Sequence, residues 1–518
     1  MKRGRVDGGI SREDYDAAEA ATETNGVSFA SSFDRASDDV LKARKIYGMT
    51  AGAATNGSDV LTTIAPRHWT ALNDAFVKNI KAQWTQNKQG DWSENMREYV
   101  MYAREIMSKY GGRSGKVMTF GSGDCGQLAH GVEEDEDMMV KYPRVVSLLA
   151  KTPVVRVMCG GLHCAAITRE GEIYTWGCND DGALGRSGDE NLPAKVEGFG
   201  ADRPALLAVG GDSHTAVVTV TGQVYTWGAY KDKEGKQWCD SIAPKSSFKN
   251  KQNHPFLVKG LSNVVDIRCG ASFNIVRTGN GQVYSWGLGE MGQLGRKVNA
   301  QMKNDKDEYE VDMVFREHLT PGRVTLGTDE LPPVKDIGCG SYHMLVTLAA
   351  NGYLYTCGLN NYGQLGIGTT ENHDVLQLVE DLTSTNVAYV DGGTHHSVVM
   401  TNNGEVYSFG RADSGQLGML DECQTGDFKD RPQKVTFKST DKVVIKTIAC
   451  GSNHTLALTE DNHIYSWGYG DMLALGNGKE QDEPRPRQVD WTKTKFGKAD
   501  ILQIDAGGQH SAVLATEN

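Results

Sequence analysis

The sequence predicts an all-β protein, a seven-bladed β-propeller of repeats preceded by a partly disordered, partly helical N-terminal extension. Three observations predict it. A glycine, two variable positions and a histidine recur along the chain. Each recurrence leads into a second strand that ends in an aromatic-glycine step. The repeats also begin with the second half of a unit and end with the first half.

The glycine-histidine element stands as "CGGLHCAAI" (Cys159 to Ile167), "VGGDSHTAVV" (Val209 to Val218), "CGSYHMLV" (Cys339 to Val346), "DGGTHHSVVM" (Asp391 to Met400), "CGSNHTLAL" (Cys450 to Leu458) and "AGGQHSAVL" (Ala506 to Leu514). A seventh copy, "CGASFNIV" (Cys269 to Val276), carries Phe273 in place of histidine. Recurrence marks His163, His214, His343, His396, His454 and His510 as framework, and it dissolves the apparent Asp-Ser-His cluster at Asp212, Ser213 and His214. A hydrolytic triad normally converges from separated segments, and no other repeat supplies a base or oxyanion hole for Ser213.

The second strands, among them "EGEIYTWGCNDDGALGR", "NGQVYSWGLGEMGQLGR" and "NGEVYSFGRADSGQLG", alternate and are bounded by Asn-Gly or Glu-Gly turns, as hairpins of an antiparallel sheet do. Their anchors Trp176, Trp227, Trp286, Cys357, Phe409 and Trp467 are separated, by subtraction, by 51, 59, 71, 52 and 58 residues. That period suits one four-stranded sheet per repeat. "KVMTFGSGDCGQLAHG" (Lys116 to Gly131) and "ILQIDAGGQHSAVL" (Ile501 to Leu514) are complementary halves, so the two ends of the chain are expected to complete one blade and close the ring. The domain boundaries follow: 1–62 mostly disordered and acidic, 63–114 helical, 115–518 propeller. Trp69, Leu72, Phe76, Ile80 and Trp84 recur at helical spacing, as do Tyr99, Val100, Ala103, Ile106, Met107 and Tyr110.

Composition narrows the function. A net charge of -12 over 518 residues excludes a protein that holds nucleic acid by phosphate neutralisation alone, so DNA contact is expected to be weak or local. The ten cysteines show no C-x-x-C, and Cys159, Cys269, Cys339 and Cys450 share one repeat position; they read as small buried residues rather than metal ligands, and neither metal nor cofactor is expected. With no apolar run of about 18 residues, no membrane span is expected. "GSGDCG" and "GLGEMG" match G-x-G-x-x-G, but they are equivalent turns of different repeats and open no helix in a βαβ unit.

The repeat G-x-x-H, followed by "VYSWG" and N-x-x-GQLG, resembles the regulator of chromosome condensation family from about Lys116 to Leu514. "GCNDDGALGR", "GGDSHTA" and the insertion "WGAYKDKEG" bring it nearest to the branch that exchanges guanine nucleotide on the small GTPase Ran. The resemblance implies a nuclear, chromatin-associated exchange factor, with a cytoplasmic pool allowed, that binds a Ran-type GTPase with one ring face and does no covalent chemistry. It implies a β-wedge at Tyr230, Lys231, Asp232, Lys233, Glu234 and Gly235, catalytic contacts at Asp212 and His395, and further GTPase contacts at Asp124, Ser272, Arg296 and His510. Ser272 stands where the family has an aspartate. A nucleosome or histone partner is the second one implied, with Arg316 and Arg323 able to reach an acidic histone surface. A non-catalytic propeller scaffold is the alternative reading, and Ser272 is its main support.

Overall fold

The computed structural model describes residues 113–131, 138–200, 202–230, 248–297, 316–419, 424–438, 442–494, 496 and 499–517. The chain divides into two compact units, Met1–Gly112 and Arg113–Asn518. The disordered segment and the helical pair expected before the repeats lie outside the described residues, as do Lys231 to Gly235 of the wedge.

Among the described residues the second unit holds seven four-stranded antiparallel sheets and one small two-stranded hairpin. Six blades are continuous in sequence: 154–195, 205–257, 264–323, 334–378, 387–434 and 445–488, here blades 1 to 6. Blade 7 is shared. Ala499–Ala506 and His510–Glu517 pair with Lys116–Ser122 and Met139–Val145, and Lys116 to Gly121 run antiparallel to Ala515 to His510. The ends of the ring are therefore joined by a full strand ladder, as the half repeats require.

Within each blade the innermost strand precedes the glycine-histidine turn, the histidine begins the second strand, and the aromatic-glycine step ends the third. Every innermost strand carries a register shift near its start, from Val154/Arg156 in blade 1 to Ile501/Gln503 in blade 7. An extra residue there bends and twists the strand. The alternation expected of the third strands is weak in the structure: Ile173–Gly177 has one partly exposed residue, and Val224–Gly228 has none. Five of the seven second strands are buried along their whole length. Blades stack on both faces, so an inner strand is covered on both sides and reads as an almost continuous apolar run.

The G-x-x-H element is a single physical unit. In the first blade, a Cβ added at Gly160 would lie 2.4 Å from the His163 ring, so the imidazole needs a glycine to lie against. Each ring then reaches across a seam. His163 Nε2 meets Thr215 Oγ1 at 2.8 Å, His343 meets Ser397 Oγ at 2.8 Å, and His454 meets Ser511 Oγ at 2.8 Å. The partner is always the residue that follows the histidine site of the next blade. Thr215, Ser397 and Ser511 donate their own hydroxyl protons to the carbonyls of Ala183, Gln364 and Ala474. These oxygens are left to accept, so the imidazoles donate from Nε2 and are neutral. Burial holds His163, His343, His396 and His454 down at about 3 and His214 at about 4.

Backbone bonds close a second ring around the central channel. Gly161, Asp212, Ala271, Ser341, Thr394, Ser452 and Gly508 each donate an N–H to a carbonyl of the following blade, ending with Gly508 to Gly161 at 3.1 Å. The aromatic steps form a third set of ties. Trp176, Trp227 and Trp467 donate their indole N–H to the carbonyls of Gln127, Ala183 and Gln416 in the preceding blade's turn. A Ser or Thr two residues before the aromatic-step glycine caps the leucine carbonyl of its own turn, as in Ser285 to Leu294 at 2.6 Å and Thr356 to Leu365 at 2.8 Å.

Phe273 breaks the histidine pattern and is compensated. Its ring covers Gly270 as the imidazoles cover theirs, and the residue that would receive its bond is Met344, in the same hydrophobic cluster. The polar pair of the other seams is replaced by an apolar pair. Phe273→His alone should strand a buried imidazole against the thioether and cost about 1–3 kcal/mol. Adding Met344→Ser recreates the His454–Ser511 arrangement and should recover most of that loss. Urea unfolding of the two single variants and the double variant measures the coupling, which should be at least about 1 kcal/mol; additive losses would refute the pairing.

Candidate functional site

Two sets of turns share one face of the ring. The residue before each histidine accepts, at its carbonyl, the N–H that follows the aromatic-glycine step: Ser213 from Ala229 at 2.9 Å, Ser272 from Leu288 at 2.8 Å and His395 from Arg411 at 2.9 Å. The variable positions of G-x-x-H and the turns after the third strands are thereby held side by side. Framework residues solve a packing problem common to all blades, whereas these positions are free to differ.

Asp212 is exposed there, with its backbone N–H committed to Ala271 at 2.9 Å. Tyr342 lies close enough that, after burial, the Asp212 carboxylate is the next cause raising its phenol pKa. Ser272 is half-buried. His395 is half-buried and packs edge-on to Tyr362 at 5.1 Å, while Arg411 lies over the same ring at 5.1 Å and bonds Asp413 at 2.7 Å. Burial, and then the Arg411 guanidinium, holds the His395 imidazole below its ordinary pKa, so it presents a neutral ring at neutral pH.

Asp124 is exposed in the first turn. Aligning the turns shows that it is one of a set: Asp180, Glu290, Asn361, Asp413 and Asp471 occupy the same place in their blades. Asp124, Asp180, Glu290 and Asp471 are all exposed, so this face carries a crown of four carboxylates, from blades 7, 1, 3 and 6. Reading the sequence for single contact residues picked out Asp124 and missed the others. The signal was present, in the column three places after each aromatic-step glycine.

Three expected contact residues belong instead to the interior. Tyr230 is 1% exposed, and its hydroxyl receives the Trp286 indole N–H at 3.0 Å and the Asn274 amide at 2.9 Å. The Tyr230 phenol thus accepts the indole N–H that a turn carbonyl accepts from Trp176, Trp227 and Trp467. Burial raises that phenol's pKa well above its ordinary value. Arg296, 9% exposed, donates to the carbonyls of Glu317 and Thr320, just as Arg186 ties down its own loop through Thr175 and Leu192. Burial pulls the Arg296 guanidinium down to about 10. His510 is fully buried, and its Nε2 lies 3.0 Å from Cys164 Sγ. None of these three side chains offers a surface to a partner. The same holds for Trp176, Trp227, Trp286 and Trp467, which are all buried at the seams.

Among the described residues, one group has the composition of a metal centre: Cys159, Cys164 and His510, all buried. No helix among them is long and apolar enough to cross a membrane.

The RCC1-like domain matches residues 116–513, the whole ring. The chain belongs to the RCC1-like family. It is 32% identical over 412 residues to the mouse regulator of chromosome condensation, covering 78% of this chain and 91% of that one. It is also 31% identical to the Arabidopsis thaliana ultraviolet-B receptor UVR8, covering 76% of this chain and 80% of the receptor. The solved structure of Prp20p from Saccharomyces cerevisiae, described together with its binding to Gsp1p and histones, superposes with a TM-score of 0.66 at 26% identity, over 78% of this chain and 92% of that one. Similar RCC1-like rings thus serve proteins of different function, and the face decides among them.

Proposed function

We propose that this RCC1-like propeller is a guanine-nucleotide exchange factor for a Ran-type small GTPase, acting in the nucleus and on chromatin. The observation that carries the reading is the composition of one face. Non-repeating side chains converge there, Asp212 and His395 with the carboxylate crown, and in sequence the GQLG motif of the other blades is replaced after the buried Tyr230 by a charged insertion. The similarity to the mouse regulator and to Prp20p supports it.

A GTPase holds its nucleotide through a phosphate-cradling loop and a magnesium ion, so unassisted release is slow. A protein that binds the emptied or distorted form more tightly than the loaded form lowers that barrier by differential binding, without covalent chemistry. The carboxylate crown suits a basic protein surface and should speed encounter in a salt-dependent way. In this reading Asp212, which lines the central channel, and His395 engage the GTPase. Lys231 to Gly235, next in sequence after Tyr230, serve as the wedge in the same reading. A histone surface is the second partner in this reading, suggested by Prp20p.

The test is release of fluorescent GDP from Ran with and without the protein. Acceleration is expected, and Asp212→Ala and His395→Ala should each slow it at least about tenfold, or about 1.4 kcal/mol of barrier, with unchanged thermal melting. Tight binding to Ran with no acceleration would favour the scaffold alternative, whereas wild-type acceleration in both variants would show that Asp212 and His395 do not carry the exchange.

A further inference from the structure

The seam between blade 7 and blade 1, where the C-terminal strands meet the first continuous blade, differs chemically from the other six. Elsewhere the residue after the histidine site is Thr215, Asn274, Met344, Ser397, Thr455 or Ser511. At this seam it is Cys164, and His510 of blade 7 reaches it at 3.0 Å. Cys164 lies directly opposite Cys159 in the strand ladder, with the two sulfurs 3.9 Å apart. Two thiols and an imidazole thus meet in one buried place, brought from chain positions 346 residues apart.

We propose that Cys159, Cys164 and His510 form a zinc site that clips blade 7 to blade 1. Zinc takes thiolate sulfur at about 2.3 Å and imidazole nitrogen at about 2.0–2.1 Å in a tetrahedron, which puts two ligand sulfurs about 3.8 Å apart and a sulfur and a nitrogen about 3.5 Å apart. The sulfur pair already has that separation, and His510 has to withdraw by only about half an ångström. Two thiolates cancel the charge of a divalent ion, so the occupied site is neutral and escapes the penalty for burying a net charge. Cys159 also lines the mouth of the central channel, which gives the ion a way in and leaves a fourth position for a solvent ligand. Asp505 steadies the first ligand from behind: its carboxylate accepts the Cys159 N–H at 2.8 Å and the Ala506 N–H at 3.1 Å. The ion would tie the C-terminal strands of blade 7 directly to blade 1, beside the β-ladder that joins those strands to Lys116–Ser122.

The fold supplies its own controls. Cys164→Thr installs the residue found at Thr215 and Thr455, and Cys159→Ala installs the residue that blade 7 carries at Ala506. Both variants should fold. The full chain, purified and dialysed against excess zinc and then metal-free buffer, should retain close to one zinc per chain by elemental mass spectrometry. Replacing zinc by cobalt(II) should produce a thiolate-to-metal charge-transfer band in the near ultraviolet. Each variant should lose the band and bind cobalt at least tenfold more weakly, and a chelator should lower Tm by several degrees in the parent and not in the variants. No zinc above trace in the folded parent, or a band that persists in the Cys159→Ala, Cys164→Thr double variant, overturns the proposal. If either single variant fails to fold, the parent's zinc content and cobalt spectrum still decide it.

Discussion

Acidification from pH 7 to pH 5 should remove a large part of the propeller's stability. His163, His214, His343, His396 and His454 are neutral in the folded ring, held by burial at about 3 to 4 against an ordinary value of 6.5. A depressed folded value means that their contribution is complete above pH 6.5 and is lost as pH falls below it, because the unfolded chain takes up protons the folded ring refuses. Two carboxylates act in the opposite sense. Burial raises Asp391 to about 6 and Asp505 to about 7, so their contribution is complete below the ordinary carboxylate range and is lost as pH rises through those values. Near pH 5.5 the five imidazoles outweigh the two carboxylates by about three protons, which corresponds to about 4 kcal/mol of stability lost per pH unit. Between pH 7 and pH 5 the net loss comes to about 6 kcal/mol, a large share of a typical total stability of about 5–15 kcal/mol. Urea midpoints followed by tryptophan fluorescence should fall steeply between pH 7 and pH 5, and a midpoint that stays flat through that range would show that the imidazoles are not the neutral framework described here.

Gly340→Ala should be among the most damaging single methyl additions in the ring. A Cβ there would sit 2.2 Å from the Gly393 carbonyl oxygen and 2.2 Å from the His343 ring. Neither can yield cheaply, because that carbonyl accepts the Ser341 N–H across the seam and the imidazole is bonded to Ser397. Backbone and side-chain ties of one seam fail together, and the expected loss is at least about 4 kcal/mol. Gly260→Ala is the control: nothing lies within 4 Å of its Cβ, and only its φ of +81° opposes the change, so about 1–2 kcal/mol should be lost. Thermal melts of the two variants should differ widely. Equal losses would mean that the close approach around the channel does not govern stability.

The sequence by itself determined the architecture. A blade must bury the same face in much the same way seven times, so the glycine under an imidazole or Phe273, the large side chain at six of the seven seams and the leucine of the repeat turns are written as a period that can be counted. Ring closure was equally legible, since a half unit at either end leaves an unpaired sheet edge unless the two join. The face was partly legible: Asp212 and His395 stand at variable positions beside framework histidines, and the structure places both on the shared face.

Tertiary structure decided what crosses from one blade to the next. Tyr230 reads as the start of an insertion, yet its hydroxyl replaces a turn carbonyl for Trp286, 56 residues away. Arg296 and His510 carry charge or a ring nitrogen suited to contact, and packing turns both inward. The exchange of a histidine-hydroxyl pair for Phe273 and Met344, and the meeting of Cys159 and Cys164 with His510, share the same cause. Each repeat encodes its own strands locally, but the partner of a seam residue sits in another copy, at a distance set by insertions and, at the seam between blades 7 and 1, by the whole length of the ring.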